Sequence, residues 1–463
     1  MKGVEEADYA VRLAEKLGAE YAEAYVESSY GNSYALEQGV LNSSAYYEKL
    51  GLRLRILRGA RLYVFSTNVL EKSNLRKAVE NFRGFRGTDT RLSQEKPEKA
   101  SYKVEDKVSV DTHDFLKDLV DMDKSIASKK YVKFRSLYGG GGRSKTYFTN
   151  SEGARIMADL PMVSSFMSII VSNGTATRQR VLQFGATGGY EMMKVSDMEA
   201  QALEDSANMM KVLDKGVTLT PEQLKEIRNV VMAPEIAGIA VHESVGHPHE
   251  ADRVFGREAA QAGTSYLTSK NLGLEVGSEA ITLVDDPTVR NSYGFYLYDD
   301  EGVKAEPKVL VDHGKQAGLL LNREYAHVMK TRSNGSARSD SYSNEPIIRM
   351  SNTYLKPGTA TFDEIISEAR DGVYIKNFME WNIDDTRSFE RYQGNEAYLI
   401  KNGRIDKPVK NFVIESGTID FWHAAKLMGN DLKRFVGNCG KGEPMQGVPV
   451  TMGGPTTLLS FRR

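Results

Sequence analysis

Three of the seven histidines in this 463-residue chain crowd into one short run, Val241-His242-Glu243-Ser244-Val245-Gly246-His247-Pro248-His249-Glu250. Imidazoles packed among carboxylates are the donor and base types of metal-assisted hydrolysis. On a regular α-helix two ligands four residues apart lie about 40° apart and can share an ion, whereas a five-residue step turns about 140°. His242 and His247 are five apart, so an unbroken helix aims them at different faces. The helix must therefore break or bulge. Gly246 weakens it, and Pro248 biases His247 away from the α region. On that reading His242 ligates from the last helical turn and His247 from the loop beyond it.

The rest of the composition is that of an ordinary folded protein. Apolar residues are 40% and charged residues 27% of the chain, which excludes wholesale disorder, collagen and coiled coil. Lys plus Arg number 61 against 62 Asp plus Glu, for a net charge of −1, so no global basic field exists to hold a nucleic-acid backbone. The lone cysteine, Cys439, excludes an internal disulfide framework and a Cys-only metal cage, and it suits a reducing compartment. Apolar stretches such as 166–171 are too short to span a bilayer, and the acidic start Met1-Lys2-Gly3-Val4-Glu5-Glu6-Ala7 lacks a secretory pattern. These features predict a cytoplasmic protein with neither nucleic-acid nor membrane partners.

The elements that must position the histidines divide in two. Helical spacing of Val11, Ala14 and Leu17 precedes strand-like alternation over 22–28, 33–36 and 52–56. In 52–56 the apolar residues face one way and Arg53 and Arg55 the other, which predicts a hairpin with one wet face. Ser73 caps a helix with Leu75, Val79 and Phe82 on one face, and the charged stretch 86–107 reads as a surface linker. A helix through Phe115, Leu119, Met122 and Ile126 follows, then strands near 131–137 and 145–148 separated by a flexible tetraglycine, 139–142. Strands at 165–171 and 179–184 and a helix with Leu203, Ala207, Met210 and Leu213 on one face complete the first unit.

After Thr220, a buried strand at 230–232 feeds a helix with Pro234 in its first turn, and this helix carries the histidines. Short β runs at 280–284, 294–298, 308–311, 319–321, 349–353, 372–375, 397–401 and 411–415 then predict a barrel or sandwich. The expected fold class is α+β: an N-terminal sheet-and-helix domain over 1–217, then a β-rich, barrel-like domain over 218–463 that carries the metal-site helix.

The segment His242-Glu243-x-x-x-His247 resembles the HExxxH motif of the TldD/PmbA family of metallopeptidases, and the preceding Ala233-Pro234-Glu235-Ile236-Ala237 is similar in kind. The resemblance extends in order through 21–57, Thr149-Asn150-Ser151-Glu152-Gly153, Asp299-Asp300-Glu301-Gly302, 346–354 and 417–439, most of the chain. It implies that Cys439, in Gly437-Asn438-Cys439-Gly440, joins His242 and His247 as a third zinc ligand, with Glu243 as general base. Two imidazoles and a thiolate leave a fourth position open, as catalytic zinc sites do. PmbA-type (TldE) subunits typically lack the motif, so this chain resembles the TldD, metal-bearing type. The resemblance further implies short unfolded peptides as substrates and a dimer, either with a second copy or with a PmbA/TldE-type subunit. A non-catalytic regulatory or binding protein with a structural metal is the competing reading.

Other residues stay unassigned. His249 reads equally as a partner of a ligand, a substrate contact or a solvent-facing loop residue; Glu250 and Asp252 read as solvated acids or as carboxylates orienting an imidazole. His113, His313, His327 and His423 are scattered singly and read as structural. The runs Asp285-Asp286 and Asp299-Asp300-Glu301 lack calcium-loop spacing, and Ser144 stands where a phosphate-binding loop after the tetraglycine needs a glycine.

Overall fold

Ala7, Ala10, Val11 and Ala14 form an amphipathic stripe that helix Val4–Lys16 buries against the first sheet of this computed structural model. The structure describes residues 1–81, 89–110, 114–257 and 264–462; Phe82, His113 and part of the expected linker lie outside them. The sheet's strands run in the order Leu62–Thr67, Val40–Leu57, Tyr21–Glu37, Val132–Asn150, Arg155–Ser172 and Lys99–Lys103, with Thr177–Thr187 also paired to Arg155–Ser172. Helices Asp114–Ala127 and Met198–Lys215 pack on it through Phe115, Leu119, Ile126 and Met209.

Three expectations are corrected here. The tetraglycine is not a flexible break: it runs through the middle of the single strand Val132–Asn150. A Cβ on Gly140 would lie 2.2 Å from the carbonyl oxygen of Asn32, and one on Gly142 would lie 2.8 Å from that of Tyr30, so close backbone approach requires glycine there. The arginine face of the second strand is not wet. Arg53 and Arg55 are 1% and 2% exposed because later segments of the chain cover them. Arg55 Nη1 pairs with Glu23 at 2.8 Å and Glu301 at 2.9 Å, and Arg53 Nη1 donates to Ser339 Oγ and the Asn344 carbonyl. Finally, helix Met198–Lys215 buries Leu213 and packs Leu203 and Met210 against the core as expected, but Ala207 is exposed, and the buried face is completed by Ala202, Asp205, Ser206, Met209 and Val212. Asp205 is drawn inward by Arg180, whose Nε lies 2.7 Å away.

The second half holds two large sheets. One runs Lys315–Gln316, Lys308–Asp312, Leu283–Asp285, Asn352–Leu355, Gln446–Gly454, Lys433–Lys441; the other runs Arg404–Val409, Phe389–Lys401, Gly372–Ile383, Asn229–Met232, Thr457–Ser460, Ala425–Met428, with Val413–Gly417 also on Phe389–Lys401. Each has two distinct edges. The stretches 294–298 and 319–321 are not strands. Instead Leu320 exchanges backbone bonds with the loop after the histidine helix, its N–H to His249 O at 2.8 Å and its carbonyl to Ala251 N–H at 3.1 Å.

Helix Pro234–Val241 lies between the two sheets, with Gln446–Gly454, Asn352–Leu355 and Lys433–Lys441 on one side and Gly372–Ile383 on the other. All eight of its residues are buried, consistent with the nearly unbroken apolar run Ile236-Ala237-Gly238-Ile239-Ala240-Val241. Gly238 allows the contact: a Cβ there would meet the Gly453 backbone at 3.0 Å. No helix among the described residues is long and apolar enough to cross a membrane.

Candidate metal centre

The α-helix does not break after Val241; it widens. Residues His242–Gly246 form a π turn, closed by the His247 N–H donating to the His242 carbonyl. An i to i+5 turn is the backbone solution to a five-residue ligand spacing, and such turns recur at functional sites. It sets the two rings on one side, their centroids 5.0 Å apart and their planes at 78°. His247 is therefore not in a loop: its φ of −59° and ψ of −45° are helical. Pro248 is accommodated because it opens the 3₁₀ turn His247–His249, where a missing N–H leaves no ladder bond unmade. Gly246 answers a packing need, since a Cβ there would come within 2.0 Å of Met350 Sδ.

Cys439 arrives from strand Lys433–Lys441, 192 residues on, and its Sγ lies 3.4 Å from His247 Nε2. One donor atom from each of His242, His247 and Cys439 lies within 4.8 Å of the others, and all three residues are buried. Burial lowers the proton affinity of both imidazoles, which favours the neutral form that offers a lone pair. Burial alone pushes the Cys439 thiol up, but His247 and the Arg349 guanidinium outweigh it and the net direction is down, toward thiolate. The Nδ1 of His242 is buried with no hydrogen-bond partner among the described residues. Two imidazoles and one sulfur are donors that zinc takes.

Behind the donors stands a charged cluster, in which Glu250 takes the second of the two readings open to it, a carboxylate orienting an imidazole, and neither Glu250 nor Asp252 is solvated. Glu250 and Asp252 are 0% and 1% exposed. Glu250 Oε2 lies 3.0 Å from His247 Nδ1, 2.8 Å from Arg253 Nε and 3.2 Å from Lys441 Nζ, while Lys441 also donates to both Asp252 oxygens at 2.7 and 2.8 Å. These charges stay buried because each is paired. Lys441 follows Cys439 by two residues, so strand alternation puts both on one face, a signal that the sequence offered. His249 is also buried, its Nδ1 against the Val245 carbonyl at 2.6 Å and its pKa lowered by burial to about 4; it does not line the cavity.

Glu243 shares the π turn and faces a cavity of about 340 Å³ walled by Phe378, Trp381, Phe435 and Met452. Its Oε2 accepts from Arg387 Nη1 at 2.8 Å, a partner 144 residues away that no local motif announces. Glu390, wholly buried beneath the cleft, was equally invisible in the sequence. Among the residues left unassigned, Asp285 pairs with Lys308 at 3.5 Å and accepts from Ser351, Asp299 accepts from backbone N–H groups, and His313, His327 and His423 are exposed; none joins the cluster.

A profile described as the PmbA/TldA metallopeptidase C-terminal domain matches residues 225–461, and one described as PmbA/TldA metallopeptidase domain 1 matches residues 22–82. A metalloprotease of Methanothermobacter thermautotrophicus is 30% identical over 94% of this chain and 93% of its own. The chain belongs to the PmbA/TldD metallopeptidase family. Within that family, a Saccharolobus solfataricus protein named a zinc metalloprotease TldD homolog is 25% identical over 96% of both chains. The solved structure of a Thermotoga maritima protein, described as a candidate modulator of a DNA gyrase, superposes with a TM-score of 0.77 at 18% identity, covering 98% of each chain, and so shares the PmbA/TldD fold.

Proposed function

We propose that this chain is a zinc-dependent peptidase of the TldD type that hydrolyses short, unfolded peptides, with His242, His247 and Cys439 holding the metal and Glu243 as general base. The observation that carries the reading is the meeting of three buried donors with a carboxylate at the wall of one cavity. A zinc ion held there supplies Lewis-acid polarisation of a peptide carbonyl and acidifies water toward a pKa of roughly 7. Glu243 then takes a proton from the attacking water on its carboxylate and returns it to the departing amine nitrogen. Glu250 fixes the His247 ring by holding Nδ1, which leaves Nε2 to face Cys439.

Peptide binding by strand addition is supported by the position of Lys433–Lys441 at one edge of its sheet, where residues 435–440 line the cavity and offer backbone groups to an extended chain. A folded protein does not fit a cleft of this size. In this reading the protein is cytoplasmic and works as a dimer, with itself or with a PmbA/TldE-type subunit.

The test is metal content and peptide hydrolysis measured on the same samples of wild type, Cys439→Ala and Glu243→Gln, purified without chelators. About one zinc per chain in wild type is expected, lost with activity in Cys439→Ala and retained without activity in Glu243→Gln. Full hydrolysis by Glu243→Gln would transfer the assignment to a binding protein with a structural metal.

A further inference from the structure

Arg387 is built into the cleft with more hydrogen-bonding capacity than the protein uses. It sits in the turn between strands Gly372–Ile383 and Phe389–Lys401 with a φ of 60°, a left-handed conformation unusual for a side-chain-bearing residue. That turn is tied down on both sides. Asp384 accepts from the N–H groups of Thr386 and Phe389 and gives its carbonyl to the Arg387 N–H, while Thr418 Oγ1 donates to the Arg387 carbonyl at 2.7 Å and the Thr418 N–H to Ser388. The guanidinium is thereby held against the cavity, where among the described residues only its Nη1 is engaged, by Glu243. Its Nε is buried with no partner among the described residues. The other arginine of the same wall, Arg180, is saturated: Asp205 takes Nε and Glu235 takes both Nη atoms, each at 2.7 Å.

With Nε buried and one Nη1 hydrogen on Glu243, Nη2 and the second Nη1 hydrogen are uncommitted among the described residues, and such a planar pair of charged donors matches a carboxylate better than any neutral group. Its place beside Glu243 fixes which carboxylate. One residue of extended chain spans about 3.3 to 3.6 Å, so an anion held next to the base belongs to the residue that follows the cleaved bond. A cavity of about 340 Å³ is at the small end for ligand sites and suits a chain end rather than a chain continuing both ways. Resting on the metallopeptidase reading above, we propose that Arg387 is the specificity-determining residue for a free α-carboxylate, so that the enzyme removes C-terminal residues from short peptides.

The probe is a pair of acetylated tripeptides, acetyl-Ala-Ala-Phe as the free acid and as the C-terminal amide, titrated calorimetrically into the metal-free full chain, where no hydrolysis intervenes. The acid should bind about 10- to 100-fold tighter than the amide, as a charge-assisted pair allows, and Arg387→Met should bring the ratio close to one. Arg387→Lys, which keeps charge but not the fork, should fall between them. Equal binding of acid and amide by wild type, binding of neither, or a ratio unchanged in a folded Arg387→Met each overturns the proposal; if Arg387→Met does not fold, the wild-type ratio and Arg387→Lys decide. The same peptides given to zinc-loaded wild type separate the two readings: hydrolysis of both at one rate sinks the role of Arg387 alone, while tighter binding of the acid with hydrolysis of neither sinks the peptidase assignment.

Discussion

Glu250 holds the Nδ1 of His247 at 3.0 Å from within the same buried turn, three residues further along the chain. The carboxylate thus decides which ring nitrogen faces Cys439. Removing it does two separable things. Glu250→Gln keeps the size but leaves Arg253 and Lys441 with less anionic charge, and zinc affinity should fall about 10- to 100-fold, the usual effect of losing such an orienting carboxylate. Glu250→Ala should also lower stability by about 3–5 kcal/mol, because buried cations are left uncompensated. Chelator competition reads the first effect and urea unfolding of the metal-free protein reads the second.

Gly246 and Met350 make a second coupled pair. An alanine at 246 would place its Cβ within 2.0 Å of the buried Met350 sulfur, so the π turn or the methionine must move. Gly246→Ala should cost about 1–3 kcal/mol, as overpacking does, and should weaken zinc binding because both imidazoles flank the displaced turn. Gly246→Ala combined with Met350→Ala should recover part of both losses. Equal destabilisation in the single and double variants, measured by thermal melting with and without zinc, would remove steric conflict as the cause.

The histidines and Glu243 were legible because their chemistry is written within six consecutive residues. That the helix had to break or bulge was also legible; the choice between them was not. Gly246 and Pro248 act as breakers in isolation, whereas in the protein Gly246 makes room for Met350, Pro248 opens a 3₁₀ turn, and Leu320 takes up backbone groups of His249 and Ala251. Cys439 was reached through family resemblance to a lone cysteine, not through spacing. Arg387 comes from a turn and Glu390 from a strand that reach the motif only through non-local pairing, and no window around the motif contains them; Lys441 could be found only by way of Cys439, two residues before it. The same limit explains the tetraglycine and Arg53 and Arg55. Whether glycine is a hinge or a close-approach position, and whether an arginine face is wet, depends on a neighbour far away in the chain.

Arg55 offers a test of that last point. It lies 2.8 Å from Glu23 and 2.9 Å from Glu301, all three nearly inaccessible, and so joins the first sheet to a turn of the second half. Arg55→Met strands two carboxylates and should destabilise the chain by about 3–5 kcal/mol. The triple variant Arg55→Met, Glu23→Gln, Glu301→Gln removes the charges together and should lose much less. Urea midpoints of the two proteins compare them directly; a triple variant no better than the single one would show that the charges are not what matters there.

Glu390 should leave a signature in the pH dependence of stability. It is 0% exposed, accepts from the Tyr392 hydroxyl at 2.9 Å through Oε2, and has no partner for Oε1 among the described residues. Burial, reinforced by the nearby Glu243 carboxylate and only partly offset by hydrogen bonding, raises its pKa from 4.5 to about 8. Below pH 4.5 the group is protonated folded or unfolded and contributes no slope. Between the two values the folded chain keeps a proton that the unfolded chain has released, so stability falls as pH rises, by on the order of 1.4 kcal/mol per unit from this group. Above pH 8 the loss is complete and the slope from this group vanishes. Glu390→Gln is neutral throughout, so the stability difference between variant and wild type should grow in the variant's favour across that window and then level off. Denaturant unfolding of both proteins at pH 5, 6, 7, 8 and 9 measures it, and a difference that stays flat with pH would mean that Glu390 is ionised in the folded protein.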